Sequence, residues 1–134
     1  MTLAPLLVSA VAVVRDRRVL MVTSRGRDVY YMPGGKVDPG ETAAEAAARE
    51  AEEEVALALD VDALTELFEV RTQAHGEPDG RQVHMRVFRA ETDAEPAPSG
   101  EVDAVHWVTT ADADRCPPAG HAVLERLAGL DLID

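Results

Sequence analysis

Glu50, Glu53 and Glu54 stand at i, i+3 and i+4, so in a helix all three project from one face. Like charges at that spacing repel by about a few tenths of a kcal/mol per pair, so something must compensate them. Arg49 can satisfy one carboxylate, and a divalent cation can satisfy the rest. An all-oxygen set of this kind suits Mg²⁺ or Mn²⁺ rather than zinc. Taken alone, the run also fits a solvated acidic helix. Its surroundings separate the two readings: Pro33-Gly34-Gly35-Lys36 and the acidic turn Asp38-Pro39-Gly40-Glu41 come immediately before it. Glycines let a backbone approach a ligand closely, and Lys36 is the only lysine in the chain. This is the company a phosphate-and-metal site needs.

Residues 35–57, GKVDPGETAAEAAAREAEEEVAL, resemble the signature of the Nudix hydrolases. That signature runs Gly, five residues, Glu, seven residues, Arg-Glu, an aliphatic, any residue, Glu-Glu, any residue, Gly, aliphatic. Gly35, Glu41, Arg49, Glu50, Glu53 and Glu54 all match. Two positions depart from it: Ala51 replaces a larger aliphatic, and Ala56 replaces the second glycine. That glycine resembles a left-handed helix C-cap, where alanine costs about 1 kcal/mol. The helix is therefore expected to end differently here, with packing altered and chemistry kept.

The resemblance implies hydrolysis of a nucleoside diphosphate linked to another group X. Glu50, Glu53 and Glu54 would hold one or more Mg²⁺ ions, with Mn²⁺ as the alternative, helped by a backbone carbonyl near Gly34 or Gly35. Arg49 would orient the carboxylates, and Glu41 would support them from behind. Glu50, Glu53 or a loop acid would take the proton from water. Many members add a glutamate from a loop ahead of a late strand. Glu101 fits that place, following Pro98-Ser99-Gly100, with Asp103 as the fallback. Lys36 resembles a phosphate contact, and Arg25 and Arg27 are candidates for further phosphates. Tyr30 and Tyr31 fall on opposite sides of a strand. One faces the core and the other is free to stack on a base; the alternation does not say which, and Tyr31 is named as the candidate.

The short chain resembles the compact branch that converts nucleoside triphosphates to monophosphate and diphosphate, including enzymes that clear 8-oxo-dGTP. Cys116-Pro117-Pro118-Ala119-Gly120 is similar to a segment of that branch, but Gly120 stands where its archetype has a base-reading asparagine. The chain contains no asparagine at all, so that readout cannot operate. Another nucleoside-diphosphate derivative (a nucleotide sugar, ADP-ribose or a dinucleoside polyphosphate) is the second reading. A non-catalytic nucleotide-binding domain is the third.

The elements that must position these groups follow from periodicity and punctuation. Leu6–Val14 reads as a buried strand; Leu3–Val14 has no basic flank for a leader and is too short to span a bilayer. A turn at Arg15–Arg18 leads to a strand over Val19–Thr23, and Ser24–Asp28 is a loop. Val29–Met32 reads as a short strand stopped by Pro33-Gly34-Gly35. Thr42 with Glu45 forms a capping-box pattern before a helix over Ala43–Val55. Leu64–Ala74 and Gln82–Ala90 read as antiparallel strands joined by a turn at Glu77–Gly80. Val102–Val108 is a late strand, and a helix over Ala119–Ala128 closes the chain. Together they predict one α/β domain over residues 1–134, a sandwich around a mixed sheet.

The chain has 134 residues and a net charge of −12. That charge excludes a general nucleic-acid binder but not a small anionic nucleotide whose charge is masked by a metal ion. The single cysteine, Cys116, excludes an internal disulfide and a cysteine-rich zinc site. The expectation is a cytoplasmic protein, monomer or homodimer, with no membrane partner. Cys116 is read as inert, and His75, His84, His106 and His121 as structural.

Overall fold

The computed structural model describes residues 4–73 and 80–134. The chain forms strands β1 (Leu6–Ala12), β2 (Val14–Arg15), β3 (Arg18–Ser24) and β4 (Gly34–Lys36), then helix α1 (Ala43–Val55). Strands β5 (Thr65–Gln73), β6 (Gln82–Arg89) and β7 (Val102–Val108) follow, and helix α2 (Pro118–Gly129) closes the chain. Short 3-10 turns lie at Val61–Ala63 and Thr110–Arg115.

A four-stranded sheet runs in the order β4-β1-β6-β5, and β2-β3-β7 form a second, three-stranded one. The first sheet is mixed: β1 pairs parallel with β6 and antiparallel with β4. The second is antiparallel throughout. The expected mixed sheet is therefore present, but the chain splits its strands between two sheets.

The near-continuous apolar run at the start follows from burial on both faces. Ala10 and Ala12 pack with Val123, Leu124 and Leu127 of α2, whereas Val11 and Val13 pack with Ala47, Ala51 and Val55 of α1. β3 repeats the alternation, with Val19 and Met21 on the α2 side and Leu20 and Val22 on the α1 side. The two helices thus cover opposite faces, which makes the α/β/α sandwich.

Several expected boundaries shift for local reasons. The first strand breaks at Val13, and Val14–Arg15 crosses to the second sheet. Asp16 and Arg17 both take positive φ, 51° and 60°, as a tight two-residue hairpin turn requires. Val29–Met32 is not a strand; only Tyr31 bridges, to Val22. The strand forms instead at Gly34–Lys36, where the glycines were expected to stop one. A Cβ on Gly34 would lie 2.8 Å from Ala10 Cα, so the missing side chain is what lets β4 press against β1. The antiparallel pair β5–β6 stands as expected. Of its turn, residues 77–79 lie outside the described residues, as do Ala74 and His75.

Helix α1 spans the expected residues, with both halves of the Thr42/Glu45 capping box formed. Its end corrects an expectation. Ala56 sits at φ 57°, ψ 32°, in the left-handed region, with its N–H on the carbonyls of Ala51 and Glu52. The helix therefore ends as a glycine would end it. Ala97 N–H and Ser99 N–H donate to the carbonyls of Val55 and Glu54 at 2.9 and 3.0 Å, tying the loop before β7 to this end of the helix. No helix among the described residues is long and apolar enough to cross a membrane.

Candidate active site

Arg49 lies midway along α1 and gathers acids from its own helix and the preceding loop, with a carbonyl from β4. Its Nε and Nη2 donate to both oxygens of Glu41 at 2.8 and 3.0 Å, a bidentate pair. Nη1 donates to Glu50 Oε1 at 2.8 Å and approaches Glu53 at 3.4 Å. Nη2 also reaches the Lys36 carbonyl at 3.1 Å. The Arg49 guanidinium, helped by the Asp38 N–H, holds the Glu41 carboxyl down at about 2. Arg49 itself is pushed up, first by its bonds to Glu41. The guanidinium thus fixes where α1 sits against the Gly35–Glu41 segment.

Glu54 has its partner in β4. Its Oε1 accepts from the Gly34 N–H at 2.7 Å. Burial pushes its carboxyl up to about 7, opposed by the Gly34 hydrogen bond and reinforced by the charges of Glu50 and Glu53. A Cβ on Gly35 would stand 2.6 Å from the Glu50 carboxyl carbon, so a side chain there would push that carboxylate out of its present position. These features fit a hard divalent cation: the donors are all oxygen, and negative charge is crowded beyond what Arg49 neutralises. Among the described residues, no three acidic, imidazole or thiol groups already stand as a ligand shell.

Beside this cluster opens a cleft of about 600 Å³. Ser24, Arg25, Arg27 and Tyr31 line it from β3 and the following segment, and Gly34, Glu54 and Glu101 from the carboxylate side. Leu6, Val8, Val83 and Met85 give an apolar wall from β1 and β6. Glu101 is carried there by its loop. Gly100 takes φ 57° and would place a Cβ 3.0 Å from the Glu53 carbonyl, and the Arg25 N–H donates to the Glu101 carbonyl at 3.2 Å.

The structure thus brings Arg25, Arg27, Tyr31, Glu54 and Glu101 to one cavity. Glu41, Arg49, Glu50 and Glu53 form the network behind it. Lys36 is exposed at the end of β4 and does not line the cleft. Asp103 accepts from the Thr23 hydroxyl at 2.8 Å and does not line it either. The tyrosine question is settled by position. Tyr30 is buried, stacked on His106 at 4.6 Å and bonded through its hydroxyl to Arg115, whereas Tyr31 faces the cleft and accepts from Arg27 at 3.1 Å. Burial holds the Cys116 thiol up at about 11, which disfavours the thiolate at neutral pH. His121 pairs with Glu125 on the outside of α2.

Sequence reasoning missed the apolar wall and Gln73, the one carboxamide among the lining residues. The alternation of Val83 and Met85 was visible. That they stand beside Leu6 and Val8 depends on the parallel β1–β6 pairing, which no local signal reports.

A NUDIX domain profile matches residues 5–127. The chain is 29% identical to the MutT NUDIX hydrolase from Burkholderia pseudomallei, covering 98% of this chain and 100% of that one, with a TM-score of 0.71. It shares its fold with the E. coli dihydroneopterin triphosphate pyrophosphohydrolase (22% identity, 94% and 97% covered, TM-score 0.72). It likewise shares it with a C. elegans Ap4A hydrolase (20% identity, 93% and 96% covered, TM-score 0.70). No curated protein matches the chain. With the signature residues clustered around α1 and the profile spanning almost the whole chain, this protein belongs to the Nudix hydrolase family, pyrophosphohydrolases that cleave the acid anhydride of nucleoside diphosphate derivatives.

Proposed function

We propose that the protein is a Mg²⁺-dependent nucleoside triphosphate pyrophosphohydrolase, acting on ribo- or deoxynucleotides and releasing a monophosphate and inorganic diphosphate. One observation carries this reading: a single cleft joins two arginines, two carboxylates and an apolar wall. The wall suits a base, Arg25 and Arg27 suit the phosphates, and the Tyr31 ring at the cleft suits stacking.

Glu50, Glu53 and Glu54, with Glu101 and the Gly35 carbonyl, would hold the metal. When bound, Mg²⁺ offsets phosphate charge and makes a coordinated water more acidic. The chain's own residues do the rest. Arg49 keeps Glu50 and Glu53 aimed outward from α1. Glu50, Glu53 or Glu101 accepts the proton as water adds to phosphorus and the bridging P–O bond breaks, and diphosphate leaves. Arg25 and Arg27 hold the departing phosphates. Phosphoryl transfer depends mainly on positioning and charge stabilisation, the two things this set and the cation would supply together. The base is read without asparagine, so an 8-oxoguanine preference would need another donor.

The test is a panel of initial rates with Mg²⁺ for wild type beside Glu53→Gln. It covers nucleoside triphosphates, oxidised deoxynucleoside triphosphates, ADP-ribose, nucleotide sugars and dinucleoside polyphosphates. Triphosphates are expected to turn over fastest, with Glu53→Gln slower by on the order of a hundredfold. Turnover confined to a sugar or dinucleotide would replace the substrate class and keep the chemistry. Binding without turnover of any compound would contradict the proposal.

A further inference from the structure

β3 and β7 pair in regular antiparallel register from Val19↔Val108 to Thr23↔Ala104, and then the register steps so that Ser24 faces Val102. Asp103 is the extra residue at this step. A bulge bends its strand and re-aims the residues beside it. Here those residues belong to the cleft: Ser24 and Arg25 follow on one strand, and Glu101 precedes on the other.

Side chains close the step. The Thr23 hydroxyl donates to Asp103 Oδ1 at 2.8 Å, and His106 Nε2 lies 3.1 Å from the Thr23 hydroxyl oxygen itself. A carboxylate only accepts, and a hydroxyl has one proton to give. His106 must therefore donate from Nε2, which fixes its tautomer. Its ring is held in turn by stacking on Tyr30, whose own ring lies under the Arg115 guanidinium at 4.2 Å. Thr23 is 6% exposed, so its hydroxyl is shielded from water at the shared end of both bonds. None of Thr23, Asp103 and His106 lines the cleft.

We propose that Thr23, Asp103 and His106 are positioning residues, locking the β3–β7 step so that Glu101 is held against Arg25 at the cleft. The inference rests on the reading of Glu101 as a site carboxylate. Asp103, the alternative acid in the sequence, acts through the bulge and not on the substrate.

The experiment measures kcat and KM with Mg²⁺ for Thr23→Val, Thr23→Ser, Asp103→Ala, Glu101→Ala and the double variant Thr23→Val/Glu101→Ala, on the best substrate of the panel. Circular dichroism melts show which variants fold. Thr23→Val is expected to lose about tenfold in kcat with KM within about twofold, a shift of a fraction of an ångström, since a full ångström of misplacement costs up to about a hundredfold. Thr23→Ser should restore the rate, and the double variant should be no slower than Glu101→Ala alone. Asp103 is exposed, so Asp103→Ala supplies the same test should Thr23→Val fail to fold. Wild-type kcat in the folded positioning variants beside an impaired Glu101→Ala would overturn the positioning role alone. So would a double variant whose losses add. Wild-type kcat in Glu101→Ala would overturn the reading of Glu101, and the inference with it.

Discussion

Glu54 meets two opposed demands. Its carboxyl stands at about 7 against 4.5 for a free glutamate, so the metal-free fold prefers it protonated. The sign follows from linkage. Glu54 contributes stability that is fully present below about 4.5 and is lost as pH rises through about 7. A divalent cation requires the ionised form. Mg²⁺ affinity, measured by calorimetry, is therefore expected to climb as pH rises to about 7 and to level by about pH 8, with proton release on binding that fades between about pH 6 and 8. A flat profile would show that Glu54 is no ligand. At this scale the motif made the charged residues legible: Glu41, Arg49, Glu50, Glu53 and Glu54 all meet around one guanidinium or one glycine pair. The tyrosines were not legible, because their sides depend on the bridge between Tyr31 and Val22 across the chain.

Helix α1 shows what alanine-rich composition does at the scale of an element. Ala46, Ala47 and Ala51 are buried without exposure, so small side chains bring the helix close to the sheet and its carboxylates close to Gly34 and Gly35. Ala51, where the family signature has a larger aliphatic, is one of the residues packed in the core there. At the far end, Ala56 holds the left-handed cap without being glycine. Ala56→Gly is expected to stabilise the protein by about 0.5–1 kcal/mol in denaturant unfolding, with the denaturant dependence unchanged. A loss of stability would show that the alanine methyl packs usefully. The capping box, the helix span and the β5–β6 alternation were readable because their signals are local. β4 was not: a Pro-Gly-Gly run looks like a breaker until the strand it presses against is known.

The whole molecule explains why the site is where it is. Two sheets and two helices enclose cores on either side of β1 and β3, and the cleft opens where β1, β3, β6 and the loop before β7 meet. The class of fold was legible from the order of elements. The division into two sheets was not, since it rests on pairings such as β3 with β7 that join residues some eighty positions apart. A net charge of −12 repels a polyphosphate at long range, so under the proposed function a cation that compensates α1 would also admit the substrate. Recognition and chemistry therefore share one requirement, and one spectrum reads both. Phosphorus NMR of a nucleoside triphosphate with the protein and Mg²⁺ is expected to show monophosphate and inorganic diphosphate growing in equal amounts, and neither when EDTA replaces Mg²⁺. A nucleoside diphosphate with orthophosphate, or a triphosphate left intact, would contradict the assignment of this cleft as a triphosphate pyrophosphohydrolase site.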